Sequence, residues 1–111
     1  MSPLPDLPGV LSPQQVAATG AAIAATQQAD GCIPWYEGGH ADPWNHVEAT
    51  MALAVVGRRA EAQRAFEWLE ATQHPDGGWH TYYRDGRVED RRRDTNVSSY
   101  VAVGAWHHWL V

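Results

Sequence analysis

The amino-acid sequence predicts an all-α protein of two helical hairpins that together contain four main helices. Two observations indicate this fold class. Four segments carry helix-start signals or apolar residues at helical spacing. A short polar motif recurs 46 residues later, at the same place relative to the helix before it. We therefore expect one repeat over about residues 12–57 and a second over about residues 58–111.

The first and third helices are predicted to be amphipathic. Ser12 is a favourable N-cap, and Pro13 follows it at the first helical position, where proline is tolerated. The third helix covers about residues 59–73 and places Phe66 and Leu69 at helical spacing. Because each has one apolar side, we expect these two helices to lie on the outside of the fold.

The second and fourth helices are predicted to be inner helices. The second begins at Asp42 and Pro43, a capping residue followed by a first-turn proline, and ends at Gly57. The fourth begins near Asp94. Both are apolar nearly all round, which is typical of helices that are buried on most sides.

The recurring motif follows each outer helix. Gln27 and Gly31 in the first copy match Gln73 and Gly77 in the second, where Trp79 comes two residues later. The stretch RAFEWLEATQHPDGGW, residues 64–79, fills every position of a known pattern: basic, small, aromatic, aliphatic, Gln, Gly and Trp. It resembles the QW repeat of squalene and terpene cyclases. The first copy is degenerate, with alanines at the basic and aromatic positions and isoleucine at the tryptophan position.

This resemblance implies an α/α toroid, a ring of helical hairpins shared by terpene cyclases, protein prenyltransferase β subunits and six-hairpin glycosidases. Two hairpins make an incomplete toroid, and we do not expect them to surround a substrate. The resemblance further implies a fragment of a larger enzyme acting on an isoprenoid. It implies structural roles in fastening the ring for the motif residues Gln27, Gly31, Gln73, Gly77 and Trp79. An inner-helix face left exposed could also mediate self-association.

Two alternatives stay open. The chain has no Asp-x-Asp-Asp acid of the alkene-protonating cyclases, and its single cysteine, Cys32, lies in a loop and not among zinc ligands. A carbohydrate-active protein similar to six-hairpin glycosidases is one alternative, and it predicts a pair of acidic residues flanking a groove. A non-catalytic helical-repeat interaction module is the other, and it predicts self-association.

Long loops are expected to form the functional rim. The connections at about residues 29–41 and 74–93 are long and rich in aromatic and acidic side chains, which suit a sugar or an isoprenoid ligand. The same residues could instead simply cap the fold. The predicted substrate-binding residues are Trp35, Tyr36, His40, Trp44, His80, Tyr83 and Asn96, and the predicted catalytic residues are Asp42, His46 and Asp94.

Composition argues against several other classes. The formal charge is −5, and the one basic cluster, Arg91 to Arg93, is interleaved with acids, so we expect no nucleic-acid partner. His40, Asp42 and His46 have a spacing close to that of metal ligands, but Asp42 is already explained as a cap, so we expect no metal and no cofactor. No apolar segment is long enough for a membrane span and the N-terminus is unlike a signal peptide, which favours a cytoplasmic protein.

Overall fold

The computed structural model describes residues 3–111 and is mostly helical. Within this range it contains four α-helices and one two-stranded sheet: α1 (Pro13–Thr26), α2 (Pro43–Val55), α3 (Arg59–Thr72), β1 (Tyr82–Arg84), β2 (Arg87–Asp90) and α4 (Thr95–Leu110). The predicted all-α class is therefore confirmed. Helix α2 is central, since it packs against α4, α3 and α1.

Side-chain caps fix the beginnings of three helices. Ser12 and Gln15 form a reciprocal capping box at α1, each accepting the main-chain N–H of the other. Asp42 accepts the N–H of Asn45 at the start of α2. Asp94 accepts two first-turn N–H groups of α4. These contacts satisfy donors that a helix leaves without intrahelical partners, so the start residues could be read from the sequence.

The core lies between α2 and its neighbours. Val47 and Leu53 of α2 are fully buried, and Val47 packs in one cluster with Trp68 and Leu69 of α3. Gly104 of α4 lies so close to α2 that an added Cβ would be 2.3 Å from a Val47 methyl group. The absence of a side chain at this position therefore sets the distance between α2 and α4.

The second long loop contains a short β-hairpin, which was not predicted. Residues 74–93 contain β1 and β2, which pair as an antiparallel hairpin. Asp85 and Gly86 form the turn, with φ of 49° and 73°. An Asp-Gly pair between short strand-forming segments is a standard hairpin signal, because both residues tolerate positive φ. The Asp85-Gly86 pair is thus a local sequence signal for this hairpin.

Helix α4 is more exposed than its apolar sequence suggests. Val101 and Gly104 are buried, whereas Trp106 and Trp109 are 62% and 75% exposed and stack on each other at 5.1 Å. The expectation of a helix buried on most sides therefore holds for α2 and is wrong for α4, which is covered mainly on its α2-facing side. Despite this apolar surface, no helix within residues 3–111 combines the length and hydropathy of a bilayer-spanning segment.

Candidate functional site

The residues of the repeated motif lie at the ends of the outer helices. The Gln27 side-chain amide donates to the carbonyls of Gly31, at 3.1 Å, and Glu61, at 2.9 Å, and its oxygen accepts from Arg64 at 2.7 Å. Glu61 and Arg64 belong to α3, so Gln27 joins the end of α1 to the beginning of the next outer helix.

The second copy of the motif has fewer partners. The Gln73 amide donates to the Gly77 carbonyl at 3.0 Å, within its own loop. The buried Trp79 indole donates to the carbonyl of Leu69 in the last turn of α3, also at 3.0 Å. The Leu69 carbonyl also accepts the Gln73 N–H, at 3.0 Å, so the Trp79 indole is a second donor that ties the loop to the end of α3.

Side chains from both long loops meet in a rim cluster, which consists of Trp35, His40, Tyr82 and Glu89. The His40 ring stacks on Tyr82 at 4.3 Å and meets the edge of Trp35 at 4.6 Å. Its Nδ1 lies 3.3 Å from a Glu89 carboxylate oxygen. Trp35 is 51% exposed, so the cluster presents an aromatic surface to solvent.

Main-chain and ionic contacts hold the two long loops of the rim together. Ala41 and Tyr83 exchange two main-chain hydrogen bonds, at 2.8 and 2.9 Å. Arg84 donates to the Gly38 carbonyl and to the Glu89 carboxylate. The structure thus brings together loops that are about 40 residues apart in sequence, as the lengths of the two connections suggested.

Asp42 is a buried and fully engaged carboxylate. One oxygen accepts the Asn45 N–H at 3.0 Å, and the other accepts the Asn45 side-chain amide at 2.8 Å and the Trp35 indole at 2.6 Å. Only 3% of the residue is exposed. Asp42 therefore caps α2 and orients Trp35 at the same time.

His46 lies wholly inside the protein between the first loop and α3. The Ile33 N–H donates to its Nδ1 at 3.1 Å, and its Nε2 lies 2.8 Å from the Ala65 carbonyl, so Nε2 carries the proton. Burial lowers the pKa of His46 to about 4, although the hydrogen bond to Ala65 and the charges of Asp42 and Asp30 act in the opposite direction. Both ring nitrogens serve main-chain groups, and neither faces a ligand.

The other predicted site residues divide between the surface and the core. Asp94 and Asn96 are exposed at the start of α4, and Tyr36 is exposed on the first loop. Tyr83 is buried, its hydroxyl accepts the His80 N–H at 2.9 Å, and burial raises its pKa. Tyr83 therefore packs beneath the rim, whereas Asp94, Asn96 and Tyr36 can contact a ligand.

An inner patch, consisting of Trp44, Glu48 and Tyr100, lies where α2 and α4 pack side by side. Trp44 is 37% exposed and stacks on Tyr100, with ring centroids 4.7 Å apart and planes 14° from parallel. The Trp44 indole donates to the exposed Glu48 carboxylate at 3.0 Å. Aromatic planes beside a carboxylate can bind a polar ring through its C–H face and its hydroxyl groups together.

Glu48 and Tyr100 are absent from the residues predicted above for the site. The spacing of Trp44 and Glu48 gave one signal, because residues four apart share a helix face. Desolvation and the neighbouring Glu48 carboxylate raise the pKa of Tyr100, so its hydroxyl stays protonated at neutral pH. The pairing of Trp44 with Tyr100 has no sequence signal, since it depends on how α2 and α4 align.

The candidate metal ligands and the single thiol lie in separate surroundings. Across residues 3–111 no three His, Cys, Asp or Glu side chains converge as a metal site would require, and His40, Asp42 and His46 point to different partners. Cys32 is buried, and burial together with the charge of Asp30 raises its pKa to about 12. Its thiol is therefore protonated and poorly nucleophilic.

Comparison with known proteins identifies one informative relative. The chain is 51% identical over 108 residues to a Mycolicibacterium hassiacum protein named MMP endo-(1,4)-3-O-methyl-alpha-D-mannosidase. The match covers 97% of this chain but 30% of the relative, so the chain spans under a third of that protein's length. No family model matches the sequence.

The comparison bears on the alternatives left open by the sequence. The name of the relative is that of a glycosidase, which supports the carbohydrate-active alternative. It gives no support to the prenyltransferase or terpene-cyclase reading, to an isoprenoid ligand or to self-association. The resemblance to the QW repeat therefore pointed to helical repeats, while the chemistry that it implied is not supported.

Proposed function

We propose that this chain is part of a glycosidase-like protein and that its inner patch binds a mannose-type oligosaccharide. The main support for this proposal is the 51% identity, over nearly the whole chain, to a protein named as an endo-acting mannosidase. The relative's name specifies (1,4) linkages and 3-O-methyl mannose. The proposed ligand is accordingly an α-(1,4)-linked oligosaccharide of 3-O-methylmannose.

The chemistry of the inner patch suits a methylated sugar. A sugar ring has an apolar C–H face that can lie against an aromatic plane, and Trp44, which is 37% exposed, offers the ring face that Tyr100 does not cover. A methyl ether adds apolar surface and removes a hydroxyl donor, so an aromatic wall suits it better than a charged one. Glu48 can accept hydrogen bonds from the hydroxyls that remain free.

The rim cluster supports a binding surface longer than one sugar. Asp42 accepts from the Trp35 indole and also caps α2, the helix whose first turn carries Trp44. One carboxylate thus fixes the rim and the start of the inner patch relative to each other. An endo-acting protein contacts sugars on both sides of the bond that it cleaves, so an extended surface fits this class.

Among the predicted catalytic residues, Asp94 keeps the access that acid–base chemistry requires. Hydrolysis of a glycosidic bond commonly uses two carboxylates. Glu48 and Asp94 are exposed on neighbouring helices, whereas Asp42 and His46 are buried and engaged. We assign Glu48 and Asp94 as the carboxylates that meet the sugar, and Asp42 and His46 as residues that position the elements around them.

Binding measurements on the intact chain test this proposal. We expect calorimetry to detect binding of an α-(1,4)-linked 3-O-methylmannose oligosaccharide to the chain. Trp44→Ala should weaken the affinity at least tenfold, which is roughly 1.4 kcal/mol. Glu48→Gln keeps the size of the side chain and is expected to weaken binding by a smaller factor. Trp109→Ala is the matched control, because it removes an exposed tryptophan near the C-terminal end of α4 and outside the inner patch. This variant should bind like the wild type.

Two results would reject the proposal. One is the absence of binding by a wild-type chain that circular dichroism shows to be helical. The other is equal affinity for the wild type and Trp44→Ala, which would place any sugar elsewhere. Tight binding of a farnesyl or geranylgeranyl compound, with no competition from the oligosaccharide, would instead favour the hypothesis of an isoprenoid ligand.

A further inference from the structure

The two copies of the repeated motif form the same local structure. Asp30 and Asp76 each accept, at 3.0 Å, the main-chain N–H two residues later. Gly31 and Gly77 follow them with almost equal positive φ, 95° and 91°. The first residue of each copy donates its side-chain amide to the carbonyl of that glycine. The two loops are therefore equivalent structures separated by 46 residues.

The surroundings of the two loops differ. Gly31 is buried, and a Cβ there would lie 2.1 Å from the Arg64 carbonyl oxygen, because the main chain of α3 rests directly on it. Gly77 is exposed, and a Cβ there would have no atom within 4 Å. The second loop thus keeps the conformation that accommodates a helix in the first repeat, with open space in place of the helix.

The side-chain hydrogen bonds show the same contrast. Gln27 uses its amide and its oxygen on α3, through the Glu61 carbonyl and the Arg64 guanidinium. Gln73 is exposed and donates to the Gly77 carbonyl within its own loop. It makes neither of the two contacts by which Gln27 reaches another helix. Its oxygen is available to a donor.

We propose that the Gln73 seat, formed by Gln73 and Gly77, binds the first turns of an amphipathic helix on a partner polypeptide. The contact between the first loop and α3 defines the chemistry of that helix. The partner helix offers a main-chain carbonyl to the Gln73 amide, an arginine three residues later to the Gln73 oxygen, and its own main chain to Gly77. The seat continues an interface that the protein already uses between its two repeats.

A second copy of this chain fits the seat less well. In α1, the positions equivalent to Glu61 and Arg64 are Gln15 and Ala18. Ala18 cannot donate to the Gln73 oxygen, and the α3 of another copy is already held by its own Gln27. The partner is therefore a helix that resembles α3 and carries an arginine at the equivalent position.

A peptide of residues 58–73, which has the sequence of α3, serves as the probe. We expect it to bind the intact chain and to shift the Gln73 side-chain amide signal in NMR spectra. Gln73→Ala should weaken binding at least about fivefold, and so should Arg64→Ala in the peptide. The two changes together should cost no more than Gln73→Ala alone, because Gln73→Ala already removes the contact that Arg64 makes. Gln63→Ala, at an exposed glutamine of α3 in the intact chain, is the matched control.

A glycine pair tests the shape of the seat. Gly77→Ala and Gly38→Ala both place a side chain at positive φ, 91° and 74°, with open space around it, so their backbone strain should be similar. Only Gly77→Ala puts a methyl group where the partner helix would rest, and only this variant should lose peptide binding. Thermal unfolding of both variants establishes that they are folded to the same extent.

Three outcomes would overturn the inference. The first is no binding of the peptide at millimolar concentration. The second is loss of binding in Gln27→Ala and not in Gln73→Ala, which would mean that the peptide replaces the chain's own α3. The third is a dimer in ultracentrifugation that Gln73→Ala abolishes, which would make a second copy the partner. None of these results depends on sugar binding.

Discussion

His46 illustrates how a residue type common in active sites can serve the fold. Its two ring nitrogens bind the Ile33 N–H and the Ala65 carbonyl, so it connects the first loop to α3 through α2. The Ile33 N–H is buried and would lose its partner without His46, at a cost of about 1–3 kcal/mol, whereas the Ala65 carbonyl lies within α3 and gains a second donor. The sequence showed a histidine near a helix start, but only the structure shows that both nitrogens are used.

The lowered pKa of His46 predicts a loss of stability in mild acid. The pKa is about 4 in the folded chain against 6.5 for a free histidine. Below pH 6.5 the unfolded chain therefore binds a proton that the folded chain does not, and the free energy of unfolding falls until about pH 4. The size of this shift corresponds to roughly 3 kcal/mol, as an order of magnitude.

Denaturant unfolding between pH 7 and pH 4 measures this effect. His46→Gln keeps one donor and one acceptor but does not titrate, so its stability should change less with pH over this interval. Asp76 and Asp90, whose pKa values are lowered by hydrogen bonds, remain in both proteins and cancel in the comparison. Equal pH dependence of the two proteins would mean that His46 does not control the acid response.

At the scale of elements, the contact between α2 and α4 depends on Gly104. A Cβ at this position would be 2.3 Å from the Val47 side chain, which is fully buried and cannot move away. Alanine is favoured over glycine in a helix by about 1 kcal/mol, whereas overpacking costs about 1–3 kcal/mol. The cost of overpacking should exceed the gain in helix propensity, because the nearest atom belongs to the core.

We therefore expect Gly104→Ala to lower the free energy of unfolding by about 1–2 kcal/mol, measured by urea denaturation at pH 7. The double variant Gly104→Ala with Val47→Ala makes room for the new methyl group and should recover part of the loss. A stabilised single variant would show that α2 and α4 can separate at little cost.

Helix boundaries were predictable because their signals are local. Ser12, Asp42 and Asp94 each cap a helix with their own side chains, and the structure begins α1, α2 and α4 there. The Asp85-Gly86 turn carried an equally local signal that identifies β1 and β2. The exposure of α4 was not predictable, since an apolar sequence does not specify which faces a neighbour covers.

At the scale of the whole molecule, the repeat was the strongest prediction from the sequence. The match of Gln27 to Gln73 predicted equivalent loops, and their hydrogen bonds agree. The division into repeats at residues 12–57 and 58–111 stays a prediction, as does the cytoplasmic location. The inner patch could not be predicted in full, because Trp44 and Tyr100 meet only through the packing of α2 on α4.

Sugar binding at the inner patch is best tested by NMR of the tryptophan indole N–H groups. The chain has six tryptophans, each giving one signal. On titration with an α-(1,4)-linked 3-O-methylmannose oligosaccharide, the Trp44 signal should move most, because its ring stacks on Tyr100 and its N–H donates to Glu48. The buried Trp68 and Trp79 should stay unchanged. A shift of Trp106 or Trp109 with Trp44 unmoved, or no shift at all, would contradict the account.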